Sequence, residues 1–130
     1  LEMMILPALQ HGGYDHQTQV EIGKRPGGKK HRVDVLARQK DGKAILISLK
    51  WQQVSGTAEQ KVPFEVICLA EALLTNQDKF KKAYLVLGGN GWTLRDFYVS
   101  GDLSNHLTHS RLVDILSLES FIGLANQGKL

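Results

Sequence analysis

Residues 31–52 read His-Arg-Val-Asp-Val-Leu-Ala-Arg-Gln-Lys-Asp-Gly-Lys-Ala-Ile-Leu-Ile-Ser-Leu-Lys-Trp-Gln. Two extended segments, Arg32 to Arg38 and Ala44 to Gln52, flank a turn centred on Asp41-Gly42. Side chains of a strand alternate between its faces. In the second segment Ile45, Ile47, Leu49 and Trp51 share one face, and Leu46, Ser48, Lys50 and Gln52 the other. The first row asks for a core, Trp51 included. The second ends in a polar run that a plain half-buried strand does not need. A lysine there, with the Asp34 carboxylate on the adjacent strand, suits a divalent metal beside a phosphate.

The loop length decides whether these groups meet. A two-residue Asp41-Gly42 loop would set Asp34 opposite Leu49 and turn it into the apolar layer. A three-residue loop, Lys40-Asp41-Gly42, sets Asp34 opposite Ser48 and puts Asp34, Ser48 and Lys50 on one surface. Glycine at the third loop position is what the left-handed residue of such a hairpin requires. The three-residue loop is therefore expected.

Outward from this hairpin, Gln17 to Ile22 alternates as a strand, and Met3 to Gln10 fits a short helix ended by His11-Gly12-Gly13. Val62, Val66, Leu69, Ala70 and Leu73 recur at helical spacing. Pro63 suggests that the regular helix starts near Val62, with Thr57 to Lys61 as a turn. Ala83 to Leu87 is an apolar strand of the kind buried on both faces. Thr93-Leu94-Arg95-Asp96 looks like a capping box, Leu112 to Leu116 is a last strand, and Ser117 caps a terminal helix. The order predicts an α/β fold over residues 1–130 as a single domain. Its mixed central sheet combines a three-strand meander with a βαβ crossover, flanked by helices.

The 130 residues carry a net charge of +3, a weak pointer to nucleic acid on its own. The distribution says more. Lys24, Arg25, Lys29, Lys30, His31 and Arg32 crowd one glycine–proline stretch, at a density that can neutralise phosphates; a solvated loop is the plain alternative. No apolar run reaches the ~20 residues of a membrane span. The single Cys68 excludes an internal disulfide framework and fits a reducing, intracellular setting. The five histidines show no metal-ligand spacing, and Gly88-Gly89-Asn90-Gly91 lacks the Lys-Ser/Thr of a phosphate loop.

Val33-Asp34 … Ser48-Leu49-Lys50 resembles the motif of the PD-(D/E)xK (restriction endonuclease-like) nuclease superfamily, with valine in place of the proline and Ser48 in place of the second acid. The resemblance implies a Mg²⁺-dependent deoxyribonuclease, with Mn²⁺ as a substitute. Such an enzyme acts in restriction, repair, junction cleavage or transposition, as a homodimer or as a module of a larger assembly. It implies that Asp34 and the Leu49 backbone carbonyl hold the metal and that Lys50 sits beside the attacking water. Serine is a poor ligand for a hard cation. In the S-x-K subset the missing acid comes from the following helix, which points to Glu59 first and Glu65 second. Gln52 would bind metal or orient the water, Glu21 (or Glu2) could add a ligand, and Ser48, Lys24, Arg25, Lys29, Lys30 and Arg32 would face DNA. Loss of catalysis, leaving a nucleic-acid-binding relative, is the alternative that Ser48 raises.

Overall fold

The structure is a computed structural model in which residues 2–40 and 42–130 are described; Asp41, one of the three residues of the expected loop, lies outside them. A 3-10 turn at Glu2–Met4 leads into α1 (Leu6–His11) and three strands, β1 (Asp15–Lys24), β2 (Lys30–Arg38) and β3 (Ala44–Trp51). α2 (Ala58–Thr75), β4 (Phe80–Gly88), α3 (Arg95–Val99), β5 (Val113–Ser117) and α4 (Leu118–Asn126) follow, with two 3-10 turns between α3 and β5. The sheet order is β1-β2-β3-β4-β5. β1, β2 and β3 pair antiparallel, whereas β3–β4 and β4–β5 are parallel. This is the mixed sheet that the sequence predicts. Among the described residues no helix is long and apolar enough to cross a membrane.

The hairpin has the expected register. Val35 pairs with Ile47, Ala37 with Ile45 and Arg38 with Ala44, and Gly42 takes the left-handed conformation at φ +84°. Continuing the ladder by one step sets Asp34 level with Ser48.

The central strands are buried on both faces, as parallel neighbours require. Ile45, Ile47 and Leu49 pack with Tyr84, Val86 and Phe121 beneath α1 and α4. Leu46 packs on the other face with Val62, Val66 and Leu69 of α2. Each such fully buried aliphatic side chain contributes about 2 kcal/mol, so the sheet is a firm floor from which Ser48 and Lys50 project. Trp51 departs from the expectation: it is 40% exposed and lies against Gly88 rather than in the core.

α2 begins at Ala58 rather than near Val62, with Pro63 inside it. A proline in a helix interior leaves the carbonyl four residues back without its N–H partner. That carbonyl belongs to Glu59, and the buried Tyr98 hydroxyl donates to it at 2.7 Å. A side chain from α3 thus replaces the missing backbone donor and lets the helix run through the proline.

Candidate active site

The geometry at Asp34 follows from a fork in the sheet. In an antiparallel ladder, hydrogen-bonded pairs alternate with non-bonded ones, so Leu49 would next exchange bonds with Val33. The recorded β2–β3 pairing stops at Val35↔Ile47. Val33 turns instead into the core beneath α2. The Leu49 N–H donates to Asp34 Oδ2 at 2.7 Å. A side-chain carboxylate has taken the place of a backbone carbonyl. Because N–H and C=O of one strand residue point the same way, the Leu49 carbonyl opens into the same fork. On the other side, Gln19 Nε2 donates to Asp34 Oδ1 at 3.4 Å and also to the Glu2 carboxylate. Gln19 itself is in the left-handed region at φ +52°, which marks the distortion of β1 opposite Asp34.

The second carboxylate comes from α2. The Ser48 hydroxyl donates to Glu65 Oε1 at 2.9 Å. His31 of β2, only 3% exposed, has Nε2 3.7 Å from the same oxygen and no hydrogen-bond partner. Burial pushes the Glu65 carboxyl up, but His31, the Ser48 hydroxyl and the Lys50 charge outweigh it and hold the group below its ordinary value. Glu65 is therefore ionised near neutrality. Lys50 is half-buried beside it. The serine in the acid position of the motif thus grips an acid from the following helix.

Glu59, the first choice from sequence, is occupied elsewhere. Its carboxylate accepts from the Thr93 N–H, from the Thr93 hydroxyl at 2.7 Å and from the Leu94 N–H at 3.1 Å. The Thr93 hydroxyl bond is the main reason its pKa lies below the ordinary value. The cap at the start of α3 is therefore supplied by α2, not by a local capping box. Gln52 is likewise committed: its amide donates to the Gly91 carbonyl at 2.8 Å and its oxygen accepts from the Ala58 N–H at 3.0 Å. The glycine run after β4 lets the backbone come this close; the Gly91 N–H donates to the Gln52 carbonyl at 2.8 Å. Gln52 and Glu59 tie the β3 exit, the start of α2 and the loop after β4 into one structural joint.

Comparison with known proteins identifies the family. Residues 1–129 match the family model of the PD-(D/E)XK nuclease superfamily domain. The chain belongs to that superfamily. No curated protein matches. Among solved structures the chain is similar to the crystal structure of a protein of unknown function, AF1548, with a TM-score of 0.53 at 11% identity. The match covers 88% of this chain and 54% of that one, so the chain spans about half the length of its solved neighbour. At that identity the likeness concerns the fold alone. The superfamily supports a nuclease-like function.

In a PD-(D/E)XK site the acids usually hold a divalent metal. The groups that would hold one here are all oxygens: Asp34, Glu65 and the Leu49 carbonyl. Among the described residues no three of His, Cys, Asp and Glu converge on one point. Of the two possible extra acids, Glu2 reaches the site through Gln19. Glu21 is exposed and level with Arg32 across the β1–β2 ladder, with no bond to Asp34. Gln19 and His31 are the two site neighbours that sequence reasoning missed. Their signal is faint: Gln19 is level with Asp34 only if β1 pairs in this register, and His31 is hidden in a basic run.

Proposed function

We propose that this domain is a metal-dependent endonuclease that hydrolyses phosphodiester bonds in DNA. The observation that carries the reading is the pair of held carboxylates, Asp34 on the Leu49 N–H and Glu65 on the Ser48 hydroxyl, with Lys50 near enough for its charge to act on Glu65. A phosphodiester resists attack because its anionic oxygens repel an anionic nucleophile. A divalent cation, Mg²⁺ or Mn²⁺, would screen that charge and lower the pKa of a water at the site. Asp34, Glu65 and the Leu49 carbonyl would hold it. Lys50, whose charge acts on Glu65, would orient a water and stabilise the charge that builds on phosphorus-bound oxygens. Ser48 fixes Glu65 and so positions rather than reacts. Lys24, Lys29, Lys30 and Arg32, all exposed, would neutralise backbone phosphates.

The test is plasmid nicking in Mg²⁺ or Mn²⁺ with the wild type, Asp34→Ala and Lys50→Ala. Cutting by the wild type, lost in both variants with folding intact, is expected. A wild type that binds DNA in a salt-dependent way but cuts nothing in either metal would overturn catalysis and leave a nucleic-acid-binding relative.

A further inference from the structure

The helix that carries Glu65 also presents an exposed aromatic ring. Phe64 precedes Glu65 on α2, is 45% exposed and packs into neither core. The tip of the β1–β2 hairpin folds onto it. Arg25 N–H donates to the Lys29 carbonyl at 2.9 Å and Gly28 N–H to the Arg25 carbonyl at 2.9 Å, which closes the Pro26-Gly27-Gly28 turn. That turn carries the Arg25 guanidinium over the Phe64 ring, 5.8 Å from its centroid. At 100° per residue, Glu65, Cys68 and Phe64 follow one another around the flank of α2 that faces β2. Cys68 is buried, and its thiol is pushed up to about 11 by burial and the Glu65 charge; it is an inert filler. Phe64 forms the open rim of that flank, with the exposed Lys24, Lys29 and Lys30 on the same hairpin.

We infer that Phe64 and Arg25 form a stacking platform for an unpaired base next to the scissile phosphate, so that the domain prefers DNA with single-stranded nucleotides at the cut. The inference rests on the nuclease reading and names its substrate class. An aromatic ring with a guanidinium on it offers a π-face and a cation, which together suit a base and its phosphate. Duplex DNA hides its base faces in the stack and cannot use such a surface; unpaired nucleotides can. The rim belongs to the residue adjacent to Glu65, with Cα atoms ~3.8 Å apart. Its ring leaves α2 about 100° around the axis from Glu65, so the nucleotide it would stack is one that continues from the site over the Cys68 flank to the outer face of the helix. The lysines supply the charge complementarity that an apolar protein partner would not need.

The test is fluorescence anisotropy of the full chain in EDTA, so that nothing is cut, with labelled single-stranded, gapped-duplex and blunt-duplex oligonucleotides. Phe64→Ala is expected to weaken single-stranded and gapped binding by roughly tenfold or more, and duplex binding by less than about twofold, whereas Phe64→Trp keeps or tightens the single-stranded affinity. Equal loss on every substrate, or no loss on any, overturns the platform. So does a Phe64→Ala protein with unchanged DNA affinity that sediments as a monomer where the wild type is a dimer, because the ring would then serve a second copy of the chain. Since binding is read without metal, the nicking assay can fail while the platform stands, and the platform can fail while nicking succeeds.

Discussion

The sharpest prediction concerns which glutamate completes the site. Glu65→Gln removes one negative charge and keeps the shape. At the ~2.1 Å typical of a carboxylate oxygen on Mg²⁺, Coulomb's law gives about 4 kcal/mol between a unit charge and a dication, even at the dielectric of bulk water. Water that fills the vacated position offsets part of this. The loss of a mere outer-sphere partner already costs ~10- to 100-fold in metal affinity. Glu65→Gln should therefore weaken Mn²⁺ binding by roughly 30- to 1,000-fold, from between that figure and the full Coulomb value. Glu59→Gln should change it by less than about threefold, since the Glu59 carboxylate is held on Thr93 and Leu94, and should instead lower the melting temperature by a few degrees. Isothermal titration of Mn²⁺ into the full chain near pH 7.5, with a thermal melt of each variant, reads both. If Glu59→Gln abolishes binding while Glu65→Gln leaves it within about threefold, the assignment of the second acid is wrong.

Three further outcomes are expected. Ser48→Ala removes the hydroxyl that holds Glu65 and should cost about tenfold in Mn²⁺ affinity; an unchanged titration would show that the serine positions nothing. The Glu65 pKa is lowered in the fold from its ordinary 4.5, so its contribution to stability is complete above that pH and drains away as pH falls through the lowered value. The stability gap between wild type and Glu65→Gln should narrow on acidification below about pH 4.5; a gap that stays constant to pH 3 would contradict the linkage. Tyr98→Phe strands the Glu59 carbonyl and should cost about 1–3 kcal/mol in urea unfolding. In a Pro63→Ala background the restored N–H takes over, and the penalty should shrink by about 1 kcal/mol. Strictly additive costs would mean that the hydroxyl does not substitute for the missing donor.

The hairpin was legible because two local rules converge on it. Alternation along Ala44 to Gln52 isolates Ser48 and Lys50, and Gly42 at the third loop position selects the register that levels Asp34 with Ser48. The fork at Asp34 was not legible. Periodicity assumes that a ladder continues, and nothing in Arg32-Val33-Asp34 shows that Val33 will turn into the α2 core and leave the Leu49 N–H to a side chain. The start of α2 was misjudged for a related reason. Pro63 is a local stop signal, and its remedy, the Tyr98 hydroxyl, is thirty-nine residues from Glu59.

The choice between Glu59 and Glu65 shows where the missing information lies. Six residues along a helix put the two carboxylates about 120° apart around its axis. Val62, Val66, Leu69 and Leu73 form the stripe that α2 lays on the sheet. By that geometry the glutamates flank the stripe on opposite sides, so they cannot serve one site together. That exclusion depends on α2 starting at Ala58; with Glu59 read as part of a turn before Val62, the sequence could not supply it. Deciding between them needs the direction in which α2 crosses the strands. Glu59 leans toward the loop that leaves β4 and finds Thr93 and Leu94. Glu65 leans toward β2 and finds His31, with Ser48 of β3 below it. Asp34 is on β2, so the flank that faces β2 is the one able to share a ligand with it. The acid that belongs to the site is thus set by which edge of the helix overhangs the fork, a property of the packed layers rather than of spacing from Lys50.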